Sequence, residues 1–587
     1  MIAENVREMV PEVLREPGLL TALVLCSGVS LAAMVFLKQW KLQRKTAQAK
    51  KRRDYALTQM EEAVLRFKRQ NPRLNSGPIL TLTLVELSRS LQDGSLTPDD
   101  VLYAYIEKAF ELNKELNCLT DFLQECESQL QDLKTINQRG PLYGVPVSIK
   151  QSIYCQGYDS SCGLLQLHGV LDQQDSVLIQ VLKKQGAIPF VKTNIPQSLI
   201  SFESSNPIYG LTRNPLNQKK SPAGSSGGEG ALIGGGGSII GIGTDMGGSV
   251  RVPASFCGIC ALKPTAFRIS AMGTSAPIDG QTGVATVMGP MGRNVEDLAL
   301  CMRALLCEDM FRLDPTVPPI PFNDEVYSSS GRLRIGYYDT DDYFPATPSM
   351  RRVVRETKDL LEEAGHTLIA FSLPPMDRSI SELFIQLFFA DGASTFVRKF
   401  EGNLIDPNLH PVVSTCKLPV FIKRMLGVLL KPWSPRIASF YTAMCKASSV
   451  EDLWKHQKKQ QDYCHAFISE WNRLELDVIL CPVVGPAFNI GMSAHLLASG
   501  CYTMQYNILN FPAGVVPVST VTEEDERQMK NYTERQNDMW DRAMRKAVEG
   551  GVGLPLSVQC VALPWQEELC LRFMKEVETL TASKKRT

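Results

Sequence analysis

Between Ser221 and Ser249 the chain reads SPAGSSGGEGALIGGGGSIIGIGTDMGGS, and twelve of these 29 residues are glycine. A stretch so poor in Cβ atoms is either a flexible linker or backbone that other groups approach closely. Ala231-Leu232-Ile233 and Ile239-Ile240-Gly241-Ile242 set buried-type apolar runs inside it, which linkers lack, so close approach is the better account. A phosphate-cradling loop fails in detail. The stretch has no G-x-x-x-x-G-K-[ST], and Gly241-x-Gly243 meets Met246 where a dinucleotide loop needs its third glycine.

Nucleophilic catalysis fits better. Ser238 to Gly243 predicts a strand and Thr244 to Gly248 a tight turn, which puts Ser249 where the next helical stretch begins. Backbone N–H groups of Met246, Gly247, Gly248 and Ser249 then converge on one point. Such donors, aimed at a developing oxyanion, are worth on the order of 3 kcal/mol each. Ser225 and Ser226 lie in a second glycine turn, Gly224 to Gly228, whose hydroxyls face the first turn if the two loops pack. A serine pair still needs a base. The six histidines (His168, His366, His410, His456, His465, His495) all lie outside motif-like contexts. In Tyr143 to Lys150, Val145, Val147 and Ile149 share one strand face and Lys150 ends the other. Burying a lysine is costly unless it is used, and desolvation lowers its pKa from about 10.4 towards neutrality, making it a general base. A lysine that snorkels to the surface is an equal reading of the spacing. A second nucleophile also stands open: Gly224-Ser225-Ser226-Gly227-Gly228 satisfies G-x-S-x-G, which makes Ser226 the nucleophile of an α/β-hydrolase with a later acid and histidine. That reading leaves the second glycine turn unexplained.

The rest of the chain sets the frame. Its 587 residues bury a large core with ease, and 62 basic against 62 acidic residues give no bulk charge for nucleic acid. Sixteen cysteines are scattered singly except Cys257-x-x-Cys260, which lacks a second pair, so no metal and no cofactor are expected. Helical patterns at Leu84 to Leu91, Asp99 to Asn113, Ser176 to Gln185, Val295 to Leu306 and Ser349 to Ala364 alternate with strand-like Ala187 to Val191, Leu333 to Tyr337 and Val478 to Cys481. This predicts an α/β fold with a mixed or parallel sheet. Gly18 to Leu37 is uncharged over 20 residues, long enough to span a bilayer. Lys38, Lys41, Arg44 and Lys45 follow it, so the positive-inside rule places the bulk of the chain in the cytosol and disfavours a cleaved signal peptide. The sequon Asn531-Tyr532-Thr533 is then an unused coincidence. Residues 38 to 75 predict a helical spacer with Met60, Val64, Leu65 and Phe67 as a stripe. Leu418 to Lys431 sets Leu418, Phe421, Ile422, Met425, Leu426 and Leu429 at helical spacing with Lys423, Arg424 and Lys431 on the flanks. That pattern fits a helix lying on a membrane, with a core helix as the alternative.

The runs Gly224 to Gly228, Gly241 to Arg251, Leu262-Lys263-Pro264-Thr265 and Gly144 to Lys150 resemble the amidase signature. Thr193 to Ser198, Leu313 to Pro319, Phe511 to Val518 and Val561 to Leu569 are similar to the members that act on lipid amides. The likeness covers about residues 55 to 580. It implies a mixed twisted β-sheet surrounded by α-helices, divided as 1–17 N-terminal segment, 18–37 transmembrane helix, 38–78 spacer and 79–582 catalytic domain, with a membrane cap near 411–441. It also implies a catalytic triad of Lys150, Ser225 and Ser249, an oxyanion hole from Met246, Gly247, Gly248 and Ser249, and Leu199 against the substrate. The expected partners are a lipid amide, the bilayer of the endoplasmic reticulum or Golgi, and a second copy in a homodimer, without nucleic acid. Intact Lys150, Ser225 and Ser249 argue against a non-catalytic relative. Met246, Ala223, Gln151 and Ala266-Phe267 depart from the family's isoleucine, glycine, acidic residue and glycine-containing pair.

Overall fold

The structure is a computed structural model that describes residues 17–584 except 74, 136–138, 342, 375–379, 531 and 533–537, and omits the side chains of 17–25, 27, 28, 31, 35 and 381. The sequon, through Asn531 and Thr533, therefore lies outside the described residues.

An eleven-stranded mixed sheet runs through the molecule in the order β1-β3-β2-β6-β8-β7-β12-β13-β11-β9-β10. The strands are β1 (Leu119–Phe122), β2 (Pro146–Lys150), β3 (Ile188–Thr193), β6 (Ile240–Asp245), β7 (Cys260–Lys263), β8 (Val287–Gly292), β9 (Arg334–Tyr337), β10 (Thr367–Ala370), β11 (Val478–Pro482), β12 (Ala513–Thr520) and β13 (Pro555–Val561). A short pair, β4 (Ser205–Asn206) and β5 (Gly210–Leu211), stands apart. β2 pairs parallel with both β3 and β6, while β6 pairs antiparallel with β8. Helices cover the sheet, so its central strands are buried on both faces, their polar residues Ser148, Lys150, Thr244, Asp245 and Lys263 included. The expected α/β fold with a mixed sheet is what the chain adopts.

Local chemistry sets the helix ends. The helix Pro98–Leu116 starts on Thr97, whose side chain accepts from Asp100 N, with Pro98 in the first turn, and ends on Asn117 in the left-handed region. The glycine-rich stretch is not one loop: it holds helix α2 (Gly227–Gly234), then β6, then a turn, before helix α3 (Arg251–Cys257). The strand predicted from Ser238 begins at Ile240 and runs on to Asp245, because its backbone pairs with Val287 to Gly292 as far as that residue.

Helix α1 (Pro17–Gln70) continues through the region predicted as anchor and spacer. Ala49, Ala56, Met60, Ala63, Val64 and Phe67 form its buried stripe, and Leu65 is exposed. Arg53 clamps it to the domain through Asn117 Oδ1 at 2.6 Å and Tyr209 O at 3.2 Å, and Arg52 pairs with Asp159 at 3.2 Å. Most side chains of residues 18–37 lie outside the described residues, and among the described residues no helix is long and apolar enough to cross a membrane.

Helices α4 (Val420–Leu429) and α5 (Pro435–Ala443) pack as a pair. Phe421 is 69% and Val428 73% exposed, with Met425 and Leu429 also outward, while Ile422 and Leu426 are half-buried. Lys423 departs from its expected place beside lipid. It is 1% exposed, and its Nζ donates to Cys416 O at 3.0 Å and Met444 O at 3.5 Å. Those carbonyls end the helix His410–Lys417 and α5, and a cation is favoured at such C-termini.

Candidate active site

Lys150 closes β2 with its side chain fully buried. Its Nζ donates to Ser225 Oγ at 2.7 Å, to Thr244 Oγ1 at 2.7 Å and to Thr244 O at 3.2 Å. Burial lowers its pKa to about 7, against the opposing pull of Asp245, Cys162 and Glu229. The lysine is therefore buried against the glycine-rich turns and not at the surface.

Ser225 sits in the turn ahead of α2, after a cis Gly224–Ser225 peptide. The neighbouring Ser226 is used by the fold. Its N–H donates to Ser249 O at 3.0 Å, and its hydroxyl lies 3.4 Å from both Thr244 O and Thr244 N, so it stitches the two glycine turns together. Ser226 is completely buried, whereas Ser225 and Ser249 both line a chamber of about 80 Å³. Among the described residues no histidine lines that chamber. A histidine-served Ser226 nucleophile therefore has no support in the geometry.

The turn that carries Ser249 is organised by Asp245. Its Oδ1 accepts from Gly248 N at 2.8 Å and its Oδ2 from Val250 N at 3.1 Å, while Arg251 Nη2 lies 2.9 Å from Oδ1 and Asn507 Nδ2 donates at 3.0 Å. Burial alone would raise this carboxyl, but Arg251, Lys263 and Asn507 hold it well below the usual carboxylate range. Gly248 has φ +121°, and a Cβ there would lie 2.3 Å from Thr503 Oγ1, so only glycine fits. Because the Gly248 N–H is committed to Asp245, the N–H groups of Met246, Gly247 and Ser249 are the ones without a protein acceptor among the described residues.

Leu199 lines the same chamber, at φ +69° after Ser198 at φ +62°. Met246, Gly247, Phe384, Phe388 and Met504 complete its apolar wall. Ile200, Phe384, Phe388, Leu497 and Met504 also border a second cavity of about 290 Å³, so the two spaces adjoin. That outer cavity reaches Ile437, Phe440 and Tyr441 of α5 and Trp540. Thr244, Asp245, Glu229 and Asn507 were not singled out from the sequence. Glu229 and Asp245 carried a usable signal, as the two charged residues inside the stretch Ser221 to Ser249.

Residues 100–571 match the family described as Amidase. The chain belongs to the amidase family. It is 49% identical over 564 residues to fatty-acid amide hydrolase 1 of Sus scrofa, covering 95% of this chain and 97% of the relative. It is 51% identical to the vitamin D3 hydroxylase-associated protein of Gallus gallus, over 77% of this chain and 98% of the relative. Among solved structures, a fatty acid amide hydrolase superposes with a TM-score of 0.78 over 93% of this chain and 96% of that one; at 23% identity this speaks for the fold. This amidase is a hydrolase of amide C–N bonds.

Proposed function

We propose that this amidase is a membrane-bound serine hydrolase that cleaves fatty acid amides to the free acid and an amine or ammonia. The observation that carries the reading is the 2.7 Å contact from Lys150 Nζ to Ser225 Oγ in a chamber shared with Ser249. Neutral Lys150 takes the proton of Ser225 as Ser225 takes that of Ser249, and the Ser249 oxygen bonds to the acyl carbon. The N–H groups of Met246, Gly247 and Ser249 receive the oxyanion. On collapse, the proton returns from Lys150 through Ser225 to the leaving nitrogen, and the C–N bond breaks. Water then enters by the same relay and releases the acid from the Ser249 ester.

The similarity to fatty-acid amide hydrolase 1 and the apolar cavity beyond the chamber support a long acyl substrate, since burial is worth about 0.8 kcal/mol per methylene. The uncharged run Gly18 to Leu37 and the outward apolar face of α4 support attachment to the membrane, with the catalytic bulk cytosolic on an endomembrane. A homodimer belongs to the same reading through the family likeness. Labelling with a fluorophosphonate, followed by mass spectrometry of the modified peptide, tests the nucleophile. Ser249→Ala should abolish labelling while the melting curve survives, and label retained on Ser226 in that variant would overturn the assignment.

A further inference from the structure

Glu229 and Asp245 share the glycine-rich stretch but are held in opposite ways. Asp245 is paired with Arg251. Glu229, fully buried, accepts from Ser148 Oγ at 2.5 Å through Oε2 and from Thr193 Oγ1 at 2.7 Å through Oε1. These two hydroxyls bracket Lys150. Ser148 stands two residues earlier on the same face of β2, and Thr193 is the cross-strand neighbour of Lys150 in β3. The space for the carboxyl comes from Gly241 in β6, where a Cβ would lie 1.9 Å from Oε2, and Gly241 itself pairs with Ser148. Glu229 rides on α2, which begins at Gly227, two residues after Ser225. One side chain thus ties the turn that holds Ser225 to the strand that holds Lys150.

We propose that Glu229 is a positioning residue for the reaction: it fixes the Lys150–Ser225 contact and supplies the variable charge that Lys150 feels. This rests on the reading of Lys150 as the base. The ionisable groups facing Lys150 are Asp245 from β6, Cys162 from the segment between β2 and β3, and Glu229 from α2. Glu229 in turn faces Lys150, with Cys118 ahead of β1 in its field. Asp245 is committed to Arg251, so Glu229 is the carboxyl whose charge changes where that of Lys150 does. Burial raises Glu229 to about 7 and lowers Lys150 to about 7. A carboxylate at 229 favours the Lys150 ammonium, and removing it lets Lys150 release its proton at lower pH.

The test is the pH profile of kcat and KM on a short-chain p-nitroanilide for the full chain and its variants E229Q, E229A and K150A. Glutamine keeps the shape and still pairs with both hydroxyls, which donate or accept. E229Q should move the acid limb of kcat/KM to lower pH by at least about half a unit. E229A should lower kcat at least about tenfold with KM within about twofold, and E229Q should recover most of that loss. An E229Q profile that superimposes on the parent, or an E229A variant with parental kcat, overturns the proposal. Should E229A fail to fold by circular dichroism, the limb shift in E229Q decides alone. K150A separates the two ideas: a K150A variant that stays active removes the base, whereas an inactive K150A beside an unshifted E229Q removes only the role of Glu229.

Discussion

At the scale of residues, the pKa of Lys150 makes a prediction with a definite sign. Its proton is lost near 7 rather than near 10.5, so the neutral base exists above about 7 and is lost as pH falls through that value. The activity profile should rise through neutrality into the alkaline range, and Lys150→Ala should lose at least about a hundredfold in kcat. An activity that is flat across neutral pH and survives the substitution would remove the lysine from the mechanism. A second prediction concerns the departures from the family pattern. Ala223 stands where the family uses glycine, and its φ is +63°. That departure therefore falls on left-handed backbone, which an L-residue occupies at a cost of roughly 1–2 kcal/mol. Glycine gives back part of that through its freer unfolded chain, so Ala223→Gly should leave urea stability within about 1 kcal/mol and activity intact. Gly248→Ala should instead abolish activity, because its Cβ meets Thr503 and its turn aims the N–H donors. The sequence displayed the glycines and serines of the two turns, but it was silent on which serine is spent on packing. Ser225 and Ser226 are adjacent and chemically identical; the contact of Ser225 with Lys150 and that of Ser226 with β6 separate them.

At the scale of elements, local periodicity predicted the helices well because their apolar stripes face one sheet, as in Val295–Leu305 and Pro348–Glu363. It failed where a side chain answers to a neighbouring element. The pattern from Leu418 to Lys431 gave the helix α4 correctly, and it assigned Lys423 to the basic flank with Arg424 and Lys431. The ammonium turns inward because two helices end above it, and neither end is visible in the heptad around residue 423. Burial lowers the pKa of this lysine, as for any cation moved from water. Lys423→Ala should therefore leave two buried carbonyls without their donor and destabilise the protein by about 1–3 kcal/mol. Arg424→Ala, on the exposed side of the same helix, should stay within about 0.5 kcal/mol in the same urea titration. Equal losses in the two variants would return Lys423 to the surface.

At the scale of the whole molecule, α1 is 54 residues long, and a continuous helix of that length extends about 80 Å. Its later half is seated on the catalytic domain through Ala49, Met60 and Phe67 and clamped by Arg53, so the direction in which the apolar run leaves the domain is fixed by packing. On the membrane-bound reading, attachment then has two independent sources. On that reading the run Gly18 to Leu37, uncharged over 20 residues, would insert effectively irreversibly. The outward face of α4, with Phe421, Met425 and Val428, can only lie among headgroups, helped by the exposed Arg424 and Lys431 near anionic lipid. Deleting residues 1–37 should therefore leave an active enzyme that still sediments with vesicles containing anionic lipid. Replacing Phe421, Met425 and Val428 by serine in that truncated form should release it to the supernatant. Because these side chains point away from the core, the melting temperature should fall by no more than about 2–4 °C. The same replacement should slow hydrolysis of long-chain amides more than of short water-soluble ones. Only a lipid substrate has to enter from the bilayer, past α5 and into the apolar cavity, while Lys150, Ser225 and Ser249 are untouched. A truncated enzyme that is fully soluble without detergent, or a triple replacement that unfolds, would sink the two-source account.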